Sequence, residues 1–203
     1  GTWNNRFFYE SEGSPIRSEI WGMISPGNPE LAASYARQDS ELDHGGNSVL
    51  SEMFLSAMVA EAFVEGDLNR VLDAGLSVIP ADSDVARMVR DVRAICTDAT
   101  RWEVAWRRII RRYGNRDASK AITNQAIVVM SLLLGRGDFA ETMLLTCNSG
   151  WDTDCTAATA GALLGGDRGG QRGFPDEWAD IPAMMRTAQH VYLLGALLGG
   201  TEK

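Results

Sequence analysis

Cysteine and histidine are scarce in this chain, and their scarcity excludes several kinds of site. Its 203 residues include three cysteines and two histidines. No Cys-x-x-Cys pair occurs, which disfavours a zinc site built on cysteines. The cysteines are odd in number and lack the spacing of a disulfide framework, which predicts reduced thiols and a cytoplasmic setting; they are Cys96, Cys147 and Cys155.

Positive charge is also in short supply. Lysine and arginine number 19 against 27 aspartates and glutamates, a formal net charge of -8 at pH 7. Binding to nucleic-acid phosphates requires clustered lysines and arginines, so this balance argues against a nucleic-acid partner. One predicted helix does carry a basic cluster, which we interpret as a solvated face near the helix C-terminus; it comprises Arg107, Arg108, Arg111 and Arg112.

Long uncharged apolar runs are missing as well. A membrane-spanning helix needs about 18 or more apolar residues in succession, so no membrane span and no membrane partner are expected. Asn4, Asn5 and Arg6 interrupt the start of the chain, and no signal peptide is expected there. With 45% hydrophobic and 23% charged residues, the whole of 1–203 is predicted to form a single helical domain around one core.

Apolar residues recur at helical spacing along most of the chain, and no strand-like alternation stands out. Asn28 and Pro29 are typical of an N-cap and a first helical position. Asn47 or Ser48 is predicted to cap a helix over 49–64, whose apolar composition predicts burial on most sides. Further helical segments are predicted over 16–23, 68–79, 85–95, 102–113, 122–134, 139–148, 153–164 and 182–198. Together they predict an all-α, multi-helix bundle.

Two carboxylates stand two positions apart where the predicted helix 153–164 begins. Asp152 and Asp154 repel each other unless positive charge lies between them. The helix N-terminus supplies about half a positive charge, and Mg²⁺ or Mn²⁺, which favour carboxylate and hydroxyl oxygens, would supply more. The alternative is local: Asp152 is an N-cap, and Thr153 and Asp154 fill an acidic first turn.

Residues 150–165 resemble the signature of the ADP-ribosylglycohydrolase family, in which a Gly-Gly-Asp-Thr-Asp-Thr-like turn opens a helix of small residues. The resemblance implies an all-α fold and one or two Mg²⁺ ions. The metal ligands that it implies are Asp152, Asp154 and the next residue, here Cys155. Two residues depart from the family pattern. Trp151 replaces a glycine, and Cys155 replaces a threonine with a thiol, which is a poor ligand for Mg²⁺.

The resemblance extends over nearly all of the chain, but the chain does not cover the family. The further matching segments are 12–17, 21–22, 26–32, 42–48, 120–130, 135–139 and 174–178. The family's opening Gly-Asp-Ala-x-Gly motif, its catalytic-region Glu and its Thr-Asp-Asp-Thr metal motif are not found. The nearest acidic cluster, Asp82-Ser83-Asp84, is typical of a helix N-cap. We therefore expect the C-terminal two-thirds of such a fold, incomplete at its N-terminus, with the remainder lost, cut off or supplied by a separate N-terminal polypeptide.

Ligand-binding residues are predicted from glycine-rich turns and from their places in the family pattern. Because glycine lacks a Cβ, neighbouring backbone N–H groups can approach a phosphate or a ribose closely. By its sequence surroundings alone, His44 suits a ligand contact and a capping turn equally, and the family resemblance favours the ligand contact. Glu12 and Pro15 depart from the small residues usual at the first such turn. The predicted set is Gly13, Ser14, Arg17, His44, Gly45, Gly46, Asn47, Asn148, Gly150 and Trp151.

The resemblance implies a Mg²⁺-dependent hydrolase that cleaves the glycosidic bond of ADP-ribose or of a related N- or O-riboside. Its expected partner is an ADP-ribose-like small molecule or an ADP-ribosylated target. Asp152 and Asp154 are the predicted catalytic and metal-holding residues, and the general base is expected in the missing N-terminal part. Two alternatives stay open: a degenerate relative that binds nucleotide without turnover, and a structural helical domain without a ligand.

Overall fold

The computed structural model describes residues 6–166, and their regular structure is helical. Within this range the β-structure is limited to one isolated antiparallel bridge, between Ser11 and Lys120. The prediction of an all-α fold is confirmed for this part of the chain. After a 3₁₀ turn over Pro15–Arg17, the helices are α1 Ser18–Met23, α2 Pro29–Ser40, α3 Asn47–Ala62, α4 Leu68–Ser77, α5 Asp84–Asp98, α6 Trp102–Tyr113, α7 Ala121–Gly135, α8 Phe139–Asn148 and α9 Thr153–Gly166.

Two helices, α3 and α7, form the centre of the bundle because their residues are apolar or small on almost every side. Most residues of both helices are buried. The helices α1, α2 and α4 pack against α3, whereas α5, α6 and α8 pack against α7. The last described helix, α9, contacts α3, α7 and α8. The shared core includes Phe54, Leu55, Met58, Val89 and Met130.

Two of the predicted helix caps form as expected. Asn28 Oδ1 accepts a hydrogen bond from the backbone N–H of Leu31 at 3.1 Å. Ser83 Oγ accepts one from the N–H of Ala86 at 3.2 Å. These caps are local interactions, because the side chain and the N–H that it receives are three residues apart. Both predictions are confirmed.

The beginning of α3 differs from the prediction that Asn47 or Ser48 caps it. The helix begins at Asn47 itself, and the residue before it, Gly46, has φ +55° and no side chain to accept a hydrogen bond. The acceptor is Glu10 Oε1, which receives the Asn47 N–H at 2.9 Å. The Ser48 hydroxyl donates instead to the carbonyl oxygen of Ser11. The N-terminal segment therefore caps α3, and this contact depends on tertiary structure.

Two predicted features lie outside the described residues: the helix over 182–198 and the turn over 174–178. Among residues 6–166, no helix is long and apolar enough to cross a membrane.

Candidate functional site

The turn between α8 and α9, residues 149–154, carries the two aspartates and is called here the acidic turn. Gly150 has φ +81° and Trp151 has φ +63°. These two successive left-handed residues reverse the chain, and α9 then packs against α8. Glycine adopts this conformation readily, but for any other residue it costs about 1–2 kcal/mol. Trp151 must therefore be held in place by other contacts.

The indole rings of two tryptophans provide those contacts. The Trp151 indole N–H donates to the carbonyl oxygen of Asn115 at 2.9 Å. Its ring meets Trp106 of α6 edge to face, with centroids 6.3 Å apart. The Trp106 indole N–H donates in turn to the carbonyl oxygen of Ser149 at 2.9 Å. The acidic turn is thus fastened to α6 and to the loop that follows it, which gives Trp151 a structural role that glycine could not have.

A buried amide of α7 fixes the backbone of the acidic turn from the other side. The N–H of Asp152 donates to Asn124 Oδ1 at 3.2 Å. Asn124 is fully buried, and its Nδ2 donates to the carbonyl oxygens of Ala118 at 2.9 Å and Lys120 at 3.2 Å. The side chain of Asn124 cannot turn away without leaving buried polar groups unpaired, so Asp152 is held against the centre of the bundle.

The carboxylates of the acidic turn do not cap α9. An N-cap carboxylate accepts a hydrogen bond from a backbone N–H two or three residues further on. Within residues 6–166, neither Asp152 nor Asp154 has such a bond; the first N–H of α9 to be paired, that of Thr156, donates to the Asp152 carbonyl oxygen at 3.0 Å. Asp152 therefore occupies the N-cap position of α9 through its carbonyl oxygen, and Asp154 lies in the first turn, as the capping alternative has it. Within the described residues no backbone N–H of α9 pairs with either carboxylate, and the Cys155 thiol lies 3.9 Å from Asp154 Oδ2.

Three side chains of the acidic turn could bind a metal ion, and two of them, the carboxylates, suit a hard divalent cation. A carboxylate oxygen of Asp152, a carboxylate oxygen of Asp154 and the Sγ atom of Cys155 all lie within 4.8 Å of one another. The carboxylate oxygens are the donors that Mg²⁺ and Mn²⁺ prefer. Burial, followed by the neighbouring Asp152, raises the pKa of the Cys155 thiol to about 12. At neutral pH this protonated thiol is a poor ligand, and Cys155 as a metal ligand stays a prediction.

A cleft of about 370 Å³ opens beside the acidic turn, at the lower end of the range for ligand pockets. The polar side chains in its wall belong to Glu19, Asp154, Cys155 and Thr159. Apolar and small residues make up the remainder of the wall: Ile16, Ala158 and Ala162. The helical segment 15–23 and α9 thus bring two carboxylates from distant parts of the chain, those of Glu19 and Asp154, to one cleft.

Two glutamates were not predicted as site residues: Glu19, which lies in the cleft wall, and Glu12, which is buried and is not a residue of that wall. Glu19 Oε1 accepts a hydrogen bond from Thr159 Oγ1 at 2.6 Å, and burial raises the pKa of Glu19. Glu12 is 2% exposed, and its Oε1 accepts a hydrogen bond from Gln125 Nε2 at 2.8 Å. Burial first, and the charge of Asp152 second, raise the pKa of Glu12 well above its ordinary value. The sequence contained one signal of this arrangement, the departure of Glu12 from the small residues usual at its position.

His44 and Gly13, predicted as ligand residues in two separate turns, contact each other. His44 is 6% exposed, with Nε2 at 2.9 Å from Ser11 Oγ and Nδ1 at 2.7 Å from Asp43 Oδ1. A Cβ on Gly13 would lie 3.1 Å from His44 Nε2. Both ring nitrogens therefore have partners inside the protein, and contact of His44 with a ligand stays a prediction.

Arg17 is also engaged within the protein. Its Nε lies 2.8 Å from Asp39 Oδ2, and its Nη1 and Nη2 donate to the two carboxylate oxygens of Asp43 at 3.1 and 3.0 Å. The hydrogen bond from Arg17 is the main reason why the pKa of Asp43 falls to about 2. With two carboxylates on one guanidinium, Arg17 offers a phosphate less positive charge than a free arginine would.

The other predicted residues of this region pack against the N-terminal segment. Ser14 is fully buried and donates its hydroxyl to Glu52. A Cβ on Gly45 would lie 2.2 Å from the ring of Tyr9, and one on Gly46 would lie 2.3 Å from Glu10 Oε1. The close approach predicted from these glycines does occur, and the group that approaches is the chain's own N-terminal segment. The cleft wall includes none of Gly13, Ser14, Arg17, His44, Gly45, Gly46 and Asn47, whereas Asn148, Gly150 and Trp151 lie in or directly before the acidic turn.

We expect Trp151→Gly to lower the free energy of unfolding by about 1–2 kcal/mol. The free energy of unfolding gains about 1 kcal/mol because glycine adopts the left-handed backbone conformation without strain. It loses more than that, since the indole hydrogen bond and the edge-to-face contact with Trp106 are worth about 1 kcal/mol each, in addition to the buried ring. Urea denaturation measures the difference. Trp151→Phe is the matched control and should lose only the hydrogen bond; a Trp151→Gly variant as stable as the wild type would refute the fastening role.

Glu52 predicts a pH dependence of stability. It is fully buried, and burial raises its pKa to about 8 although the Ser14 hydroxyl bond opposes the shift. The folded protein therefore keeps a proton that the unfolded chain releases near the ordinary pKa of 4.5. Stability is greatest below that pH and falls as the pH rises through about 8. Measured from pH 5 to pH 8, the stability of Glu52→Gln relative to the wild type should rise; a constant difference would contradict the raised pKa.

The comparisons with known proteins assign the chain to a family. No curated protein matches the chain, and no solved structure matches it. The family model described as ADP-ribosylglycohydrolase matches residues 2–199, a range that includes the acidic turn and the cleft beside it. The chain therefore belongs to the ADP-ribosylglycohydrolase family.

Proposed function

We propose that this protein is a Mg²⁺-dependent hydrolase that cleaves the glycosidic bond of ADP-ribose or a related N- or O-riboside. Family membership supports hydrolysis of an ADP-ribose-like substrate. The observation that carries the metal dependence is the pair Asp152 and Asp154, whose carboxylates have no backbone partner within the described residues and stand beside a ligand-sized cleft. An ADP-ribosylated target and a small ADP-ribose derivative are the two candidate substrate classes.

Asp152 and Asp154 would hold the Mg²⁺, or a Mn²⁺ in its place, with Cys155 adjacent. When bound, the cation would orient the ribose hydroxyls and polarise the reacting groups. Asn124 contributes indirectly, because it holds the Asp152 backbone in place.

The cleft itself suits the charge that develops during the reaction. Glycoside hydrolysis passes through an oxocarbenium-like transition state, which nearby carboxylates stabilise. Asp154 lies in the cleft wall on one side and Glu19 on the other. The pKa of Glu19 is raised by burial, so Glu19 keeps a proton to a higher pH than an exposed glutamate does. Glu19 is therefore the described residue best suited to protonate the leaving group.

The aspartates of the acidic turn provide the first test. We expect Asp152→Asn and Asp154→Asn each to reduce Mg²⁺-dependent release of ADP-ribose by about 100-fold or more, because even outer-shell partners of a metal are worth about 10–100-fold. Chromatography of the products from an ADP-ribosylated substrate measures the rate. Asp82→Asn, an exposed aspartate in another helix-initiating turn, is the matched control and should leave the rate unchanged.

Three outcomes of that test separate the competing functions. Metal-dependent hydrolysis that both variants lose supports the hydrolase. Metal-dependent binding of ADP-ribose without hydrolysis favours the degenerate, binding-only relative, which is supported by a thiol, a poor ligand for Mg²⁺, at position 155. The absence of both activities refutes the proposal.

Glu19 provides the second test. We expect Glu19→Gln to lower the hydrolysis rate by about 10²–10⁴-fold, as for loss of a general acid, while ADP-ribose affinity changes little. The wild-type rate should fall as the pH rises through the raised pKa of Glu19, and the variant should lose this limb of the pH–rate profile. Glu30→Gln, on the exposed side of α2, is the control. A variant with the wild-type rate and pH profile would exclude Glu19 as the proton donor.

A further inference from the structure

Glu12 is the buried acid that neither the sequence motif nor the reaction described above employs. We infer that Glu12 is a third carboxylate ligand of the cation held by Asp152 and Asp154, and that it replaces the hard oxygen that Cys155 does not offer. This inference rests on the proposed function, since it concerns the same cation.

The carboxylate of Glu12 is only half paired. Its Oε1 receives the hydrogen bond from Gln125, whereas its Oε2 is buried and has no hydrogen-bond partner. The Oε1 atom of Gln125 is a second buried oxygen without a partner at the same place. A buried oxygen that lacks a hydrogen-bond partner destabilises the folded state, and more so when it is charged. A bound cation would satisfy the unpaired oxygen of Glu12 and neutralise its charge.

The unpaired carboxylate and the acidic turn are anchored to consecutive residues of one helix. Asn124 of α7 receives the Asp152 N–H at 3.2 Å, and the next residue, Gln125, holds Glu12. The backbone of the N-terminal segment is fixed nearby, because the Glu12 N–H donates to the carbonyl oxygen of Ser119 at 2.5 Å. Glu12 and the backbone of Asp152 are therefore both fixed to the N-terminal part of α7.

No positive side chain balances this group of acids. Within residues 6–166, no lysine, arginine or histidine forms an ion pair with Glu12, Asp152 or Asp154; every ion pair there joins other residues. Three neighbouring carboxylates without a counter-charge repel one another, and a divalent cation is the compact ligand that relieves this repulsion. Gln125 then acts as the outer partner that orients a ligating carboxylate.

Binding of Mn²⁺ to the whole chain tests the inference without reference to activity. Electron paramagnetic resonance measures free Mn²⁺ during a titration, with Mg²⁺ as the competitor. We expect Glu12→Gln to weaken Mn²⁺ binding at least tenfold and Asp152→Asn to weaken it at least as much. Glu52→Gln is the matched control: Glu52 is equally buried, but both of its oxygens have partners, from Ser14 and Trp21, so Mn²⁺ binding should not change.

Thermal unfolding separates loss of a ligand from loss of the fold. Without metal, Glu12→Gln should melt at or above the wild-type temperature, because it removes a buried charge and keeps the hydrogen bond to Gln125. Mn²⁺ should raise the melting temperature of the wild type and not that of the variant. If Glu12→Gln does not fold, Glu12→Asp keeps the charge on a shorter side chain and should also bind more weakly.

The outcomes distinguish this inference from the proposed function. If Asp152→Asn abolishes Mn²⁺ binding and the Glu12 variants bind like the wild type, the inference is overturned and the cation site stands without Glu12. If the wild type itself binds no Mn²⁺, the metal dependence in the proposed function fails, and the role of Glu12 fails with it.

Discussion

Two adjacent amides on the central helix α7 hold the candidate site together. Asn124 receives the backbone N–H of Asp152, and Gln125 donates to the carboxylate of Glu12. Both amides are fully buried, where an unpaired polar group is costly, so each contact restrains its partner as well. The bond from Thr159 of α9 to Glu19 joins the same two parts of the chain. The position of the cleft therefore depends on these side-chain hydrogen bonds together with the helix packing.

Two groups of acidic side chains among residues 6–166 differ in whether a basic residue accompanies them. Near the start of α3, Arg17 forms ion pairs with Asp39 and Asp43, so these acids have a positive partner within the chain. Around the acidic turn, Asp152 and Glu12 have no basic partner within the described residues. An uncompensated group of acids suits a cation or a transition state with positive charge. The anionic phosphates of an ADP-ribose would be repelled there unless a metal ion lay between.

The two departures from the family signature have different structural consequences. Trp151 has a left-handed backbone conformation that favours glycine. Its indole ring offsets the cost of this conformation through a hydrogen bond to Asn115 and a contact with Trp106. Cys155 has no such local compensation, because a thiol is a soft donor and a poor replacement for a hydroxyl as a ligand for Mg²⁺. The unpaired buried oxygen of Glu12 belongs to another segment. Contacts of its own indole ring therefore compensate for Trp151, whereas a replacement for the ligand lost at Cys155 has to come from another segment of the chain.

The amino-acid sequence by itself determined the all-α architecture, most helix boundaries, the caps at Asn28 and Ser83, and the position of the paired aspartates, because each depends on residues within a few positions of one another. It did not determine the cap of α3, whose acceptor is Glu10. The cleft, the carboxylate of Glu19 in its wall and the burial of Glu12 were decided only by tertiary structure. Those glutamates precede α9 by most of the described chain, and no periodicity or spacing can report that the packing of helices on α3 and α7 brings them together.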